Sequence, residues 1–222
     1  MAHCVLVLGG SYDPVHLGHV ALARCLTNLL HPDELRIIPA GQPWQKSPLT
    51  ATAQQRIEML ELAFEDWIGC SISIDKLEIQ KALDNQVNYT IETLRQLRSQ
   101  LGEHVSIVFA IGADQLQNLH TWYQWKDLFS VAHLIAVARP GSSLEIANPD
   151  VAAEWKQREM SIHDLRSRAT GGTFIEKNLA QDVSATQLRL ELKQCNPTTK
   201  LPVPHKVLDY LKQHSIYSKN GH

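Results

Sequence analysis

Five successive apolar residues, Cys4-Val-Leu-Val-Leu8, run directly into Gly9-Gly10. A run that does not alternate with polar positions predicts a strand buried on both faces, as in a parallel sheet. Gly9-Gly10 break the strand, Pro14 restricts the turn, and apolar residues at 22, 26, 29 and 30 predict a helix over 17–30 packed on that sheet. Further along, the pattern predicts a strand at 35–39, a loop through 40–52, a helix over 53–65 and a strand around 70–75. An irregular stretch to 88 and a helix over 90–101 follow. The near-continuous apolar run from Val105 to Ile111, ended by Gly112, reads as a second central strand. Helical patterns at 114–120 and 124–130 precede a strand at 134–138, which Arg139-Pro-Gly141 terminates. A helix over 149–160, a short strand at 173–177 and helices over 184–195 and 204–214 complete the chain.

Strands alternating with helices predict an α/β protein with a Rossmann-like, doubly wound parallel sheet. Ligands of such sheets bind beyond the carboxyl ends of the strands, where strand order reverses. No repeat, low-complexity tract or linker divides the 222 residues. The expectation is one domain spanning 1–222, with a small helical C-terminal part at about 184–217.

Composition adds mainly exclusions. A hydrophobic content of 44% with 20% charged residues is that of an ordinary globular chain, and a net charge of −2 with no basic run speaks against nucleic acid as a partner. The four cysteines form no CxxC pair and no disulfide framework, which points to a reducing compartment. No signal peptide and no stretch long enough to span a membrane are apparent, so the expected location is cytoplasmic. Oligomeric state is not legible.

Chemistry concentrates after the first strand, where Gly9 to His19 reads GGSYDPVHLGH. His16 and His19, three apart, share one face of the helix's first turn. Two imidazoles, exposed backbone N–H groups and the positive end of a helix dipole suit an anion, and the natural one is a polyphosphate. Gly18 between them would let phosphate approach the backbone. No GxxxxGK[ST] loop occurs, and no Cys or carboxylate cluster with zinc spacing makes the histidines half of a metal site. A second signal is Val183-Ser-Ala-Thr-Gln-Leu-Arg189. Ser184 followed by Gln187 fits a capping box, and Arg189 supplies a planar cation suited to forked phosphate contacts. Alone, a capped helix bearing an arginine is ordinary; paired with the first motif, it reads as the other half of a phosphate site.

The first motif resembles the HxGH signature of the nucleotidyltransferase superfamily, whose members join a nucleoside triphosphate to a second phosphate or carboxylate. Residues 183–189 resemble that superfamily's [I/V]SSTxIR segment, with Ala185 where serine is common. From residue 5 to about 217 the chain resembles the bacterial nicotinate (nicotinamide) mononucleotide adenylyltransferases. The similar pantetheine-phosphate adenylyltransferases typically carry threonine in place of the first histidine. Residues 39–46 resemble a family loop ending in Pro-His-Lys, with Lys46 retained, Gln45 in place of histidine and Trp44 in place of proline. Asn88-Tyr-Thr-Ile-Glu-Thr-Leu94 resembles SYTxDTL, which lies by the pyridine in that family. Gly112 and Asp114 match a GxD turn associated with the ATP ribose, Trp122 matches an aromatic that stacks on the pyridine, and Ala138-Arg-Pro-Gly141 matches a further turn from which Arg139 would reach the nucleotide. Trp125 reads as a core anchor.

The resemblance implies adenylyl transfer from ATP to nicotinate mononucleotide, giving deamido-NAD and pyrophosphate. It assigns catalytic roles to His16, His19, Lys46 and Arg189. ATP binding falls to Gly9, Gly10, Ser11, Tyr12, His16, Gly18, His19, Gly112, Asp114, Arg139, Ser184, Thr186 and Arg189. Pyridine nucleotide binding falls to Lys46, Tyr89, Thr90 and Trp122. Mg²⁺ is expected on the triphosphate, held by its oxygens and water, with no protein ligand. Two other readings stay open: nicotinamide mononucleotide as the preferred acceptor, and a nucleotide-binding regulatory module without catalysis.

Overall fold

The computed structural model describes residues 3–41, 49–138, 145–177, 183, 185–194 and 201–217. Six strands, β1 (Cys4–Gly10), β2 (Glu34–Pro39), β3 (Ser71–Ile74), β4 (Ser106–Gly112), β5 (His133–Val137) and β6 (Thr173–Glu176), form one sheet in the order β3-β2-β1-β4-β5-β6. Every neighbouring pair is parallel. The chain winds outward from β1 to β3, then returns to β4 on the other side of β1. Strand order therefore reverses between β1 and β4, which opens a crevice above Gly9, Gly10 and Gly112.

The unbroken apolar run of β1 has a physical cause in the two layers that cover the sheet. Leu6 and Leu8 face one core with Ala23, Leu26 and Leu30 of α1 (Leu17–Leu30) and Met59 and Leu60 of α2 (Ala53–Phe64). Val5 and Val7 face a second core with Ile91, Leu94 and Leu97 of α4 (Thr90–Leu101). Both faces of the pleat are buried, so both parities are apolar. The other helices are α3 (Leu77–Leu83), α5 (Ala113–Gln117), α6 (Leu128–Val131), α7 (Pro149–Gln157), α8 (Ile162–Ser167), α9 (Ala185–Gln194) and α10 (His205–Gln213).

Two helices were not expected. α3 lies within the stretch read as irregular and buries only Ile79, so it carries no amphipathic stripe. α8 starts at Ser161, whose hydroxyl accepts from the Asp164 N–H at 3.1 Å, a cap that six helical residues were too few to advertise. The helices expected at 114–120 and 124–130 break up. Trp122 is extended between two 3₁₀ turns (Leu119–Thr121 and Trp125–Asp127), and Gln124 is left-handed at φ 49°.

The C-terminal part is built into the first core. Leu188 of α9, Val203, Val207 and Leu211 of α10, and Tyr217 are buried in the same cluster as Leu6 and Leu26. The Pro202 carbonyl also accepts from the Leu17 N–H at 2.8 Å. Among the described residues, no helix is long and apolar enough to cross a membrane.

Candidate active site

His16 caps α1 with an extended backbone (φ −143°, ψ 170°), which turns its N–H back toward the helix's first turn. That N–H donates to Nδ1 of His19 at 3.1 Å, and the two rings stack with centroids 3.7 Å apart and planes 19° from parallel. His16 is buried at 4% exposure while His19 is half-buried, with the Tyr12 ring tilted against it at 4.8 Å. Tyr12 takes a left-handed φ of 51°, and its hydroxyl donates to the Leu8 carbonyl at 3.0 Å. A side chain at Gly18 would be crowded: a Cβ there would lie 3.0 Å from His16 Nδ1 and 3.1 Å from Val183 Cβ, so either neighbour would have to give way by a few tenths of an ångström. Its bareness serves ring stacking and the approach of the second motif.

The expectation of open amides at this helix start needs correcting. His16 N–H is engaged by His19, and Leu17 N–H by Pro202. A helix's first N–H groups lack partners within the helix, and the returning C-terminal part supplies one here.

The second motif arrives on the same loop. Arg189 donates through one Nη to the Asp13 carbonyl at 2.6 Å and through the other to Thr186 Oγ at 3.2 Å. Asp13 is 2% exposed, and its carboxylate accepts from the Thr50 N–H at 2.9 Å, the Ala51 N–H at 2.9 Å and the Tyr217 hydroxyl. Beneath lies Arg56, 1% exposed, which donates to the carbonyls of Ser11 at 2.9 Å and Ala40 at 2.7 Å. Arg56 and Asp13 therefore tie both ends of the segment between β2 and α2 to the β1–α1 loop.

On the far side of the switch point, Gly112 ends β4, and Asp114 Oδ1 lies 2.5 Å from where a Gly112 Cβ would sit. Asp114 is exposed in the first turn of α5. Tyr89, not Thr90, occupies the cap position of α4; Thr90 is the first helical residue. The Tyr89 ring packs on Tyr123 at 4.5 Å, and Arg95 of α4 donates to Gln124 and Asp127, each at 2.8 Å. These contacts hold the start of α4 beside the segment carrying Trp122. Trp122 is half-buried against the second core, as is Trp125, whose ring meets Phe129 edge-on at 6.4 Å. Glu78 accepts from Thr93 Oγ at 2.9 Å, and burial pushes its carboxyl above the ordinary range. Among the described residues, no group of three or more His, Cys, Asp or Glu side chains is placed to hold a metal ion.

The cytidylyltransferase-like family model matches residues 7–191, from inside β1 to the turn of α9 that carries Arg189. A probable nicotinate-nucleotide adenylyltransferase of Herminiimonas arsenicoxydans is 46% identical over 220 residues, covering 98% of each chain. The chain belongs to the nicotinate-nucleotide adenylyltransferase family. A second member, from Chromobacterium violaceum, is 38% identical over 95% of this chain and 97% of its own. The fold agrees with that of Plasmodium falciparum nicotinic acid mononucleotide adenylyltransferase complexed with NaAD, at a TM-score of 0.74 and 15% identity over 96% of this chain and 97% of that one.

Against the nicotinate-nucleotide adenylyltransferase pattern, the HxGH segment, Thr186 and Arg189 meet on one loop, while Gly112 and Asp114 stand at the end of β4 and Tyr89, Thr90 and Trp122 at the start of α4 and the neighbouring segment after α5. Lys46, Arg139 and Ser184 lie outside the described residues, as do Trp44 and Gln45. Three residues of this arrangement were missed from sequence: Asp13, Arg56 and Tyr217. Asp13 stood inside the quoted motif, but its partners are 37, 38 and 204 positions away, and no local pattern reports them. The available signal for Arg56 was its register with the apolar positions Met59 and Leu60, three and four residues on along α2.

Proposed function

We propose that the protein transfers AMP from ATP to nicotinate mononucleotide, forming deamido-NAD and releasing pyrophosphate. The observation that carries this reading is the convergence of the stacked His16–His19 pair and Arg189 on the loop that leaves β1 at the switch point. The attacking group is a phosphate already ionised at neutral pH, so no general base is needed. The work is alignment of two mutually repelling anions and neutralisation of charge on the departing pyrophosphate.

His19 suits that work in its neutral form. Its Nδ1 lone pair accepts from the His16 N–H, so the ring proton sits on Nε2, the donor a phosphate oxygen would meet. His16 and His19 serve the α- and β-phosphates, within a cradle of Gly9, Gly10, Ser11, Tyr12 and Gly18. Arg189 and Lys46 serve the outer phosphates or the incoming one, with Ser184 and Thr186 at the start of α9. Gly112, Asp114 and Arg139 take the adenosine side. Tyr89, Thr90 and Trp122, with Lys46, take the pyridine nucleotide, where an indole is a good partner for a flat, electron-poor ring. The nucleotide enters as its Mg²⁺ complex, the cation held by phosphate oxygens and water.

The chain acts as one nucleotidyltransferase domain on small molecules, with no nucleic acid partner. The free thiols of Cys4, Cys25 and Cys70 suit a reducing, cytoplasmic setting. Pyrophosphate release with ATP and a panel of acceptors tests the reading: nicotinate mononucleotide, nicotinamide mononucleotide, phosphopantetheine and glycerol phosphate. Release is expected to be fastest with nicotinate mononucleotide. ATP binding without release for any acceptor would reduce the protein to a nucleotide-binding module.

A further inference from the structure

The charges around Asp13 are arranged against their ordinary preference. A buried carboxylate beside a guanidinium normally forms a forked ion pair, the strongest contact open to either group. Among the described residues, Asp13 accepts only from neutral donors: the Thr50 and Ala51 N–H groups and the Tyr217 hydroxyl. Arg189 is at hand, yet donates to the carbonyl of the same aspartate at 2.6 Å. Arg56 likewise spends its Nη1 on the Ser11 and Ala40 carbonyls. Neutral dipoles satisfy the anion and neutral carbonyls hold the cations, so opposite charges stand close together without being spent on each other.

We propose that Tyr217 is a positioning residue: its hydroxyl occupies Asp13 Oδ1 and thereby keeps that carboxylate from pairing with Arg189, leaving the guanidinium charge for the phosphates of the nucleotide. The C-terminal segment is on this view part of the phosphate site. The geometry is specific. Tyr217 is 3% exposed, follows α10 with a left-handed φ of 62°, and carries its ring into the core so that only the hydroxyl meets Asp13. Burial and the neighbouring carboxylate push the phenol well above its usual range, so it stays a donor at every physiological pH. Without that hydroxyl, Oδ1 keeps only the Ala51 N–H, and rotation of Arg189 from the Asp13 carbonyl to its carboxylate becomes the readiest remedy.

The inference rests on the reading that Arg189 meets phosphate, and the experiment separates the two. Tyr217→Phe keeps the buried ring and removes one oxygen. The dissociation constant of ATP is measured by calorimetry, without acceptor, for the unmodified protein, Tyr217→Phe, Arg189→Ala and the double variant. Tyr217→Phe is expected to weaken ATP about tenfold, the worth of roughly one charge-assisted contact, and to cost nothing further once Arg189 is gone. Unchanged affinity in Tyr217→Phe, or the same loss in both backgrounds, overturns the proposal. ATP binding unaffected by Arg189→Ala removes the phosphate reading beneath it. Should Tyr217→Phe not fold, Tyr217→Leu, which also removes the hydroxyl, carries the same comparison: a loss of ATP affinity of about tenfold that vanishes in the Arg189→Ala background supports the proposal, and an equal loss in both backgrounds overturns it.

Discussion

His19 is the more open member of a stacked pair, and its Nδ1 accepts from the backbone N–H of His16. On the proposed reading, its Nε2–H would serve a phosphate without the ring taking up a proton. His19→Ala is expected to lower turnover by at least ~10²-fold, comparable to losing one preorganised transition-state donor. Circular dichroism should show the fold retained, since the ring is half-buried; near-normal turnover in a folded variant would take the imidazole out of the mechanism. The histidines were legible in the sequence because three residues on a helix start are neighbours by covalent geometry alone. Arg56 was not, because the carbonyls it satisfies belong to residues 11 and 40 and meet it only once β1 and β2 are paired. The same holds for the lost amides of α1: nothing near Leu17 announces that Pro202 will cover it.

At the scale of elements, long apolar runs and helices with clear stripes were readable, and α1 and α4 begin and end where the pattern put them. Short elements held by side-chain bonds, α3 and α8, were not. One such clamp sits at the amino end of β5. Fully buried His133 accepts from the Gly172 N–H through Nδ1 at 2.8 Å and meets the Arg168 carbonyl through Nε2 at 2.9 Å, which fixes the neutral ring between β5 and β6. Burial pushes its pKa below the ordinary value of 6.5; the hydrogen bond to the Arg168 carbonyl opposes this, and the charges of Arg98 and Arg168 add to it. The folded state thus refuses a proton that the unfolded chain accepts, so the stabilisation is present above pH 6.5 and lost as pH falls toward the depressed native value. Stability should fall below pH 6.5 by up to about 1.4 kcal/mol per pH unit from this group. Denaturant unfolding at a series of pH values, set against His133→Gln, isolates the contribution. An identical pH slope in the variant would show the clamp to be silent.

Across the whole molecule, the helical C-terminal part is a structural member of the first core and meets the loop between β1 and α1. Truncation after residue 200 would strip Val203, Val207, Leu211 and Tyr217 from beside β1 and α1. At roughly 1.5–3 kcal/mol for each buried apolar side chain, the loss rivals the ~5–15 kcal/mol by which domains are stable. The truncated chain is expected to lose cooperative thermal unfolding; a sharp calorimetric transition near that of the full chain would show the segment to be an appendage. The same packing brings Tyr217 and the Pro202 carbonyl to the loop between β1 and α1.

Local rules were enough for what is local. Unbroken apolar runs mean strands covered on both faces, alternation with helices means a parallel wound sheet, and HxGH with a distant Arg-bearing helix start points to two segments that could share an anion. Which halves touch, which amides are already taken, and which neutral groups hold a buried carboxylate apart from its cations belong to the tertiary structure. Those facts depend on chain segments up to 204 residues apart, joined only when strand pairing and core burial bring them together.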